Sequence, residues 1–202
     1  MYGIVLYVCR RSETLRRRWA WAERGKGVTL LGGKPDAVQK NYKKTLNFMN
    51  LCQQIAKHLR EVYVGKNWTW VNLKDTLKGV NWHHATTKVK DMNTIAILVY
   101  HMNYYVEAQL NLLKTGSLDA HDDFAFKAPP INSESDWQEM TQKSFNQAEE
   151  LAQIIEGLPD SKLWEVCIEE KYGNYYRNFQ GMIEHCHYHL GQIVFLKKWI
   201  IE

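Results

Sequence analysis

Apolar side chains recur at steps of three and four residues from about Asn41 onward, which is the spacing of one face of an α-helix. This pattern predicts a first long helix that ends near Gly65, because helices often end at a glycine. The apolar face of that helix is formed by Leu46, Met49, Leu51, Ile55, Leu59 and Val62.

The same spacing predicts three further long helices with recognisable end signals. The second helix starts at Asn93 or Thr94, runs to about Lys114 and stops at Gly116. The side chains on or near one of its faces are Ile97, Leu98, His101, Tyr105, Ala108 and Leu112.

The third and fourth helices complete the set. Ser133, with Asp136 three residues later, is a capping pattern that starts the third helix, and this helix runs to about Ile155. The fourth helix spans roughly Tyr175 to Ile200. Between the long helices we predict a short helix at 73–77, an irregular stretch at 82–88, a polar loop at 117–132 and a short helical piece at 161–168.

Four long helices, two long connections and no convincing strand in the main domain predict an all-α fold, a four-helix bundle with long crossover connections. A chain of 202 residues with 45% hydrophobic content can form one buried core and still carry an extension. Such bundles build metal sites from side chains that face inward on neighbouring helices. Polar residues on the inward faces are therefore the first candidates for function.

Positive charge is concentrated at the start of the chain. Residues 1–48 hold 11 Lys and Arg against 3 Asp and Glu, a net of +8, whereas residues 49–202 hold 15 against 19, a net of −4. Residues 1–36 fit a mobile basic arm, a small capping element, or a start codon assigned too far upstream. Because a nucleic-acid-binding domain carries its basic patch on the folded body, binding of nucleic acid through this Arg-rich start is the weakest functional hypothesis.

The cysteines and the hydropathy pattern bear on the compartment. Cys9, Cys52, Cys167 and Cys186 show no CxxC spacing and are interpreted as free thiols in a reducing cytoplasm. No stretch reaches the ~20 apolar residues of a membrane-spanning helix. The apolar start also lacks the basic segment and the cleavage site of a signal peptide. We therefore expect a cytoplasmic protein with no membrane partner.

Three histidines lie close together near the end of the chain, and helical geometry separates them. His185 and His189 lie about 40° apart on one face and roughly 6 Å apart along the axis, so both imidazoles can reach one ion. His187 lies about 200° from His185 and faces elsewhere. The zinc-protease helix needs Glu directly after its first His, and Cys186 occupies that position here, which excludes a HExxH protease.

His101 is the candidate third ligand, because it lies in the middle of the second helix among apolar residues. A lone buried histidine needs hydrogen-bond partners of its own, whereas a shared metal ion would satisfy all three imidazoles. The residue pattern equally allows a simpler interpretation, in which His101 is a satisfied core histidine and His185 and His189 lie on a helix surface. The pattern alone leaves both interpretations open.

Three segments in the same order resemble the DinB-like superfamily. The sequence HxxxHLGQI over 185–193 is similar to the last-helix signature HxxxHxGQI of that family, with Leu190 where many members have Arg. Residues 94–102 are similar to the second-helix segment that ends in the family's first metal-binding histidine, and residues 82–89 resemble the connection before it. The resemblance covers about 45–200. It implies a DinB-like domain at 45–202 and leaves 1–44 as a basic, poorly structured N-terminal extension with no assigned function.

The resemblance implies one divalent metal ion, zinc or nickel, held by His101, His185 and His189 and completed by water. It implies a metal-dependent hydrolase or a transferase that uses a low-molecular-weight thiol, acting on a small molecule. The alternative is a non-catalytic metal-binding or stress-response bundle whose metal is structural or acts as a sensor. A homodimer is compatible with the exposed aromatic residues.

Several residues are candidates for the surroundings of the metal, although core packing or solvated loop charge explains each of them as well. Glu184 and Cys186 point away from the two helix histidines, and His83 and His84 lie in a connection, so none of these four is predicted to act. The candidates are Tyr104, Tyr105, Asp119, His121, Asp122, Trp137, Tyr175 and Tyr176.

Overall fold

The computed structural model describes residues 49–118 and 120–201. Residues 1–44, the predicted start of the first helix at 41–48, and Asp119 lie outside the described residues. Over the described residues the fold is all-α, as the sequence predicts, and one isolated bridge between Val166 and Asn174 takes the place of any strand.

The first helix, α1 (Leu51–Tyr63), begins at a capping box. The side chain of Asn50 accepts a hydrogen bond from Gln53 N, and the Gln53 side chain accepts one from Asn50 N. Met49 therefore precedes the helix and is 37% exposed, which corrects its placement on the apolar face. The helix ends two residues before Gly65.

Two short helices follow, α2 (Leu73–Thr76) and α3 (Trp82–Thr86). The first confirms the predicted short helix. The second corrects the prediction of an irregular stretch at 82–88. The Asn81 side chain accepts from His84 N, and the His84 ring lies within hydrogen-bonding distance of Asn81 N, so one turn of helix is capped at its start.

The second and third long helices are bounded by the predicted signals. Helix α4 (Ile95–Thr115) starts where the Thr94 side chain accepts from Ile97 N, and it ends at Gly116, whose φ of +75° favours glycine. Helix α5 (Glu134–Gly157) starts where the Ser133 side chain accepts from Asp136 N.

The last helix, α6 (Tyr175–Ile201), also begins at a side-chain cap, where Asn174 Oδ1 accepts from Arg177 N at 2.9 Å. The connections around it contain short 3₁₀ turns at Asp122–Phe124, Asp160–Trp164 and Glu170–Tyr172. The helical piece predicted at 161–168 is thus a 3₁₀ turn that ends at Trp164, and the chain beyond it forms the bridge from Val166 to Asn174.

Each of the four long helices packs against two of the others. Helix α1 packs against α5 and α6, and α4 packs against the same two helices, so the four form a closed ring around an apolar core. This arrangement makes the inward face of α4 adjacent to the inward face of α6. The largest fully buried side chains are Tyr63, Phe179, Ile55, Leu59, Leu73, Ile95, Met102, Leu151, Ile155, Leu163, Ile183 and Leu190.

An arginine on α1 links this helix to α5 through two ion pairs. Arg60 on α1 pairs with Glu149 and Glu156 on α5, at 3.0 Å and 2.8 Å. In the part of the chain that the structure describes, no helix combines the length and the apolar character needed to cross a bilayer. Cys52, Cys167 and Cys186 are buried free thiols.

Candidate metal centre

The structure brings together the three histidines that the sequence singles out. His101 projects from α4, and His185 and His189 project from successive turns of α6. His185 Nε2 lies 2.9 Å from His101 Nε2 and 3.0 Å from His189 Nε2. Within the described residues, these three form the group of potential metal ligands, with ligand atoms all within 4.8 Å of one another.

Two of the imidazoles are oriented by acceptors on their outer nitrogens. His101 Nδ1 lies 3.0 Å from the carbonyl oxygen of Ala125, and His189 Nδ1 lies 2.7 Å from Gln192 Oε1. Because both partners are acceptors, each Nδ1 carries the proton and each Nε2 presents a lone pair to the centre. Metal-binding histidines are held in the same way, by an acceptor on the nitrogen that does not bind the ion.

The third imidazole leaves the cluster with more lone pairs than protons. His185 Nε2 faces the lone pairs of both His101 and His189, and one proton on that atom can be donated to only one of them. The buried Nδ1 of His185 has no hydrogen-bond partner among the described residues. A divalent cation between the three Nε2 atoms would accept all three lone pairs, so this donor set fits a metal ion.

The charge state of the cluster also fits a metal ion. Burial, followed by the nearby His189 and His101, lowers the pKa of His185 from 6.5 to about 4. Burial also lowers the pKa of His101 and of His189, although their hydrogen bonds to Ala125 and Gln192 oppose this. The three imidazoles are therefore neutral at pH 7, which is the form that binds metals.

Aromatic rings cover the cluster on the side of α4. The Phe126 ring stacks on His101 with centroids 3.7 Å apart and the planes within 13°. Tyr105 meets both His101 and His185 edge-on, at 5.2 Å and 4.8 Å. His101 and His189 are only 4% and 7% exposed, so two of the three imidazoles are almost closed to water.

The Tyr105 hydroxyl donates to Asp122 Oδ1 at 2.9 Å. Burial, followed by this hydrogen bond, raises the pKa of Tyr105 to about 12, so the phenol keeps its proton near neutral pH. Of the predicted surrounding residues, Tyr105 therefore contacts the cluster directly and Asp122 contacts it through Tyr105.

A cavity of about 650 Å³ opens beside His185. This volume lies within the ~300–1,000 Å³ range of small-molecule sites. Of the three histidines, His185 is among the residues that line this cavity. Its lining residues are Tyr105, Gln109, Glu170, Lys171, Tyr172, Gly173, Arg177, Asn178, Gly181, Met182 and His185.

Other predicted surrounding residues lie farther from the cluster. The Tyr104 hydroxyl accepts from His121 N and donates to His121 O, which fixes the loop after α4. Trp137 Nε1 donates to Val80 O inside the core. Tyr175 packs beside Phe179, and Tyr176 packs beside Trp164. Asp119 lies outside the described residues.

The four residues not predicted to act, and His187, have other surroundings. Glu184 is exposed, and Cys186 is buried with its Sγ 3.8 Å from the Tyr63 hydroxyl. His187 faces His58, with ring centroids 5.6 Å apart. His83 stacks on Trp82, and His84 caps α3.

Ala125, Phe126 and Gln192 contact the cluster and were not among the predicted residues. Gln192 has a signal, because a residue three positions after a helical histidine lies on the same face. Ala125 and Phe126 have none, since they belong to a loop whose path is set by tertiary contacts.

The fold and the cluster define an all-α protein with three converging imidazoles. No family model, curated protein or solved structure matches the chain. Its function must accordingly be inferred from the chemistry of the cluster and of the adjoining cavity.

Proposed function

We propose that the chain is a DinB-like protein that binds one divalent transition-metal ion, zinc or nickel, through His101, His185 and His189. We further propose that it is an enzyme acting on a small molecule, by metal-dependent hydrolysis or by transfer involving a low-molecular-weight thiol. The observation that carries the proposal is the convergence of three neutral imidazoles beside an open cavity.

The DinB-like assignment is supported by the order and position of the elements. One histidine lies in the second turn of α4, and two lie one turn apart on α6, within a ring of four long helices. The residues of α6 from His185 to Ile193 carry the HxxxHxGQI pattern, in which the Gln is the residue that accepts a hydrogen bond from the second helix histidine.

A catalytic role is favoured over a structural one by access to the cluster. A structural metal site is closed by protein ligands, whereas a catalytic site has three protein ligands and keeps one position open. Here three histidines are available, and the cavity reaches the one whose outer nitrogen has no partner. When bound, a divalent ion supplies Lewis acidity, which serves either proposed reaction.

The residues around the three histidines orient the imidazoles and shield them from water. Ala125 and Gln192 hold two imidazoles in the tautomer that directs Nε2 inward, and Phe126 excludes water from His101. Tyr105 holds a proton at its hydroxyl and directs that proton to Asp122. The phenol therefore acts as a neutral wall beside the cluster, with its proton committed to a carboxylate.

Elemental analysis of protein purified without added metal tests the proposal. We expect close to one transition-metal ion per chain in the wild type, and loss of the ion in His101→Ala and in His189→Ala. His187→Ala is the matched control, since it removes an imidazole from the same helix but from the pair with His58. No metal in the wild type after reconstitution with zinc and with nickel would refute the proposal.

If the metal is present, cobalt-substituted protein separates the two reactions. A change in the cobalt absorption spectrum on addition of small thiols would support thiol transfer. An unchanged spectrum, together with turnover of simple esters or amides, would support hydrolysis.

A further inference from the structure

One face of α6 carries Arg177, Gly181, His185 and His189 at intervals of four residues. Such residues lie one above another along a helix. The Arg177 side chain runs toward the histidines, because a Cβ built on Gly181 would meet Arg177 Nη1 at 2.9 Å. The guanidinium therefore lies over Gly181, about one turn or ~6 Å along the axis from His185.

The Arg177 guanidinium has no counterion among the residues that the structure describes. Among residues 49–118 and 120–201 it has no ion pair, hydrogen bond or ring contact, although it lines the cavity. Lys171, the other cationic lining residue, is already paired with Glu169 at 3.0 Å. Because a planar guanidinium can bind a carboxylate with two parallel hydrogen bonds, an unpaired Arg in a cavity wall is suited to an anionic ligand.

Two further lining residues have polar atoms that lack partners. Gln109 Oε1 and His185 Nδ1 are both buried without a hydrogen bond in the described part of the chain. Both belong to the wall of the same cavity as Arg177. Buried polar atoms are normally satisfied, so these two mark polar residues whose contacts are incomplete beside the cavity. Gln109 Oε1 is an acceptor and therefore needs a donor group of a ligand, not its carboxylate.

We infer that the cavity binds a small molecule carrying a carboxylate, with the carboxylate on Arg177 and the reacting end at the three histidines. This inference rests on the proposed metal-dependent function and adds the class of substrate to it. Gly181 serves the site by its lack of a side chain, since it leaves the space that the guanidinium occupies. Arg177 is thus a binding residue that sets the distance between the anionic group of the substrate and the metal centre.

Calorimetric titration of the zinc-loaded full chain tests the inference. The probes are linear dicarboxylates from oxalate to glutarate, each compared with its neutral diamide. We expect a dicarboxylate to bind and its diamide not to bind. Arg177→Gln should weaken dicarboxylate binding about 10-fold or more, since a charge-assisted pair is lost.

Two variants separate a specific site from diffuse charge. Lys171→Gln makes the same change in net charge at the same cavity wall and should leave the affinity within about twofold, because Lys171 is engaged with Glu169. Gly181→Ala keeps every charge but introduces a Cβ that displaces the guanidinium, so it should weaken binding in the same direction as Arg177→Gln. Alanine favours helix, so this variant is expected to fold.

The outcomes are distinguishable from failure of the proposed function. Zinc uptake without dicarboxylate binding, or equal losses in Arg177→Gln and Lys171→Gln, would overturn the carboxylate site and leave the metal site intact. Absence of zinc uptake would refute the metal proposal. Binding to the metal-free protein, weakened by Arg177→Gln, would then still support the carboxylate site, and no such binding would overturn it.

Discussion

Replacing Gln192 by leucine would remove the oxygen that accepts a hydrogen bond from His189 Nδ1, while keeping a side chain of similar size. The distance of 2.7 Å makes this a well-formed contact between α6 residues three positions apart. Without it, the His189 proton is free to move to Nε2, the atom that faces the other imidazoles. The metal-binding form of His189 then has to compete with the wrong tautomer.

The expected size of the effect follows from the role of such acceptors. Loss of a residue that orients a metal-binding histidine typically lowers metal affinity 10- to 100-fold, on the order of 1.4–2.7 kcal/mol. Gln192→Glu should keep or raise the affinity, because a carboxylate is a stronger acceptor and makes the imidazole more basic. We therefore expect zinc affinity to fall in Gln192→Leu and to stay the same or rise in Gln192→Glu.

Zinc affinity is measured by competition with a chromophoric chelator at pH 7, for wild type and both variants. Circular dichroism of the metal-free proteins checks that the helices are retained. An affinity of Gln192→Leu within twofold of wild type would contradict this reasoning. So would a Gln192→Glu protein that binds zinc more weakly than Gln192→Leu.

The cover of His101, the charge of His185 and the cap of α1 can each be tested as well. Phe126→Ala removes the ring stacked on His101 and should speed removal of bound metal by a chelator, measured by stopped flow, while equal rates would exclude a shielding role. The pKa of His185 is depressed in the fold to about 4 from 6.5, so its contribution to stability is full above about pH 6.5 and is lost as the pH falls toward 4. The melting temperature of metal-free protein should drop across that window, and less so in His185→Gln. Asp160→Ala removes the carboxylate that accepts from two amide groups at the start of α1 and should lower the midpoint of urea unfolding, whereas Asp160→Asn should lower it less.

Helix ends and the ligand face of α6 could be predicted because their causes are local. Thr94, Ser133 and Gly116 bound their helices through contacts within one turn of chain. The choice of His185 and His189 over His187 needed only the helical repeat. These parts of the fold depend on residues that are close together in the sequence.

The rest depends on contacts between distant segments. The start of α3 is capped locally by Asn81 and is held in addition by Glu134, whose carboxylate accepts from Trp82 N across 52 positions of sequence. No local pattern predicts this second contact. The cover of His101 by Phe126 requires the path of the loop after α4. The need for a glycine at position 181 cannot be predicted from the sequence, because it depends on the direction of the Arg177 side chain.

The main-chain acceptor of His101 has a consequence for how the protein can vary. Because the oxygen belongs to the backbone of Ala125, no substitution at that position can delete it, although the fully buried site accepts only a small side chain. Point changes in the exposed part of the loop should therefore leave the orientation of His101 intact. An insertion or deletion between α4 and α5 shifts the carbonyl itself, so loop length is the property that selection has to conserve.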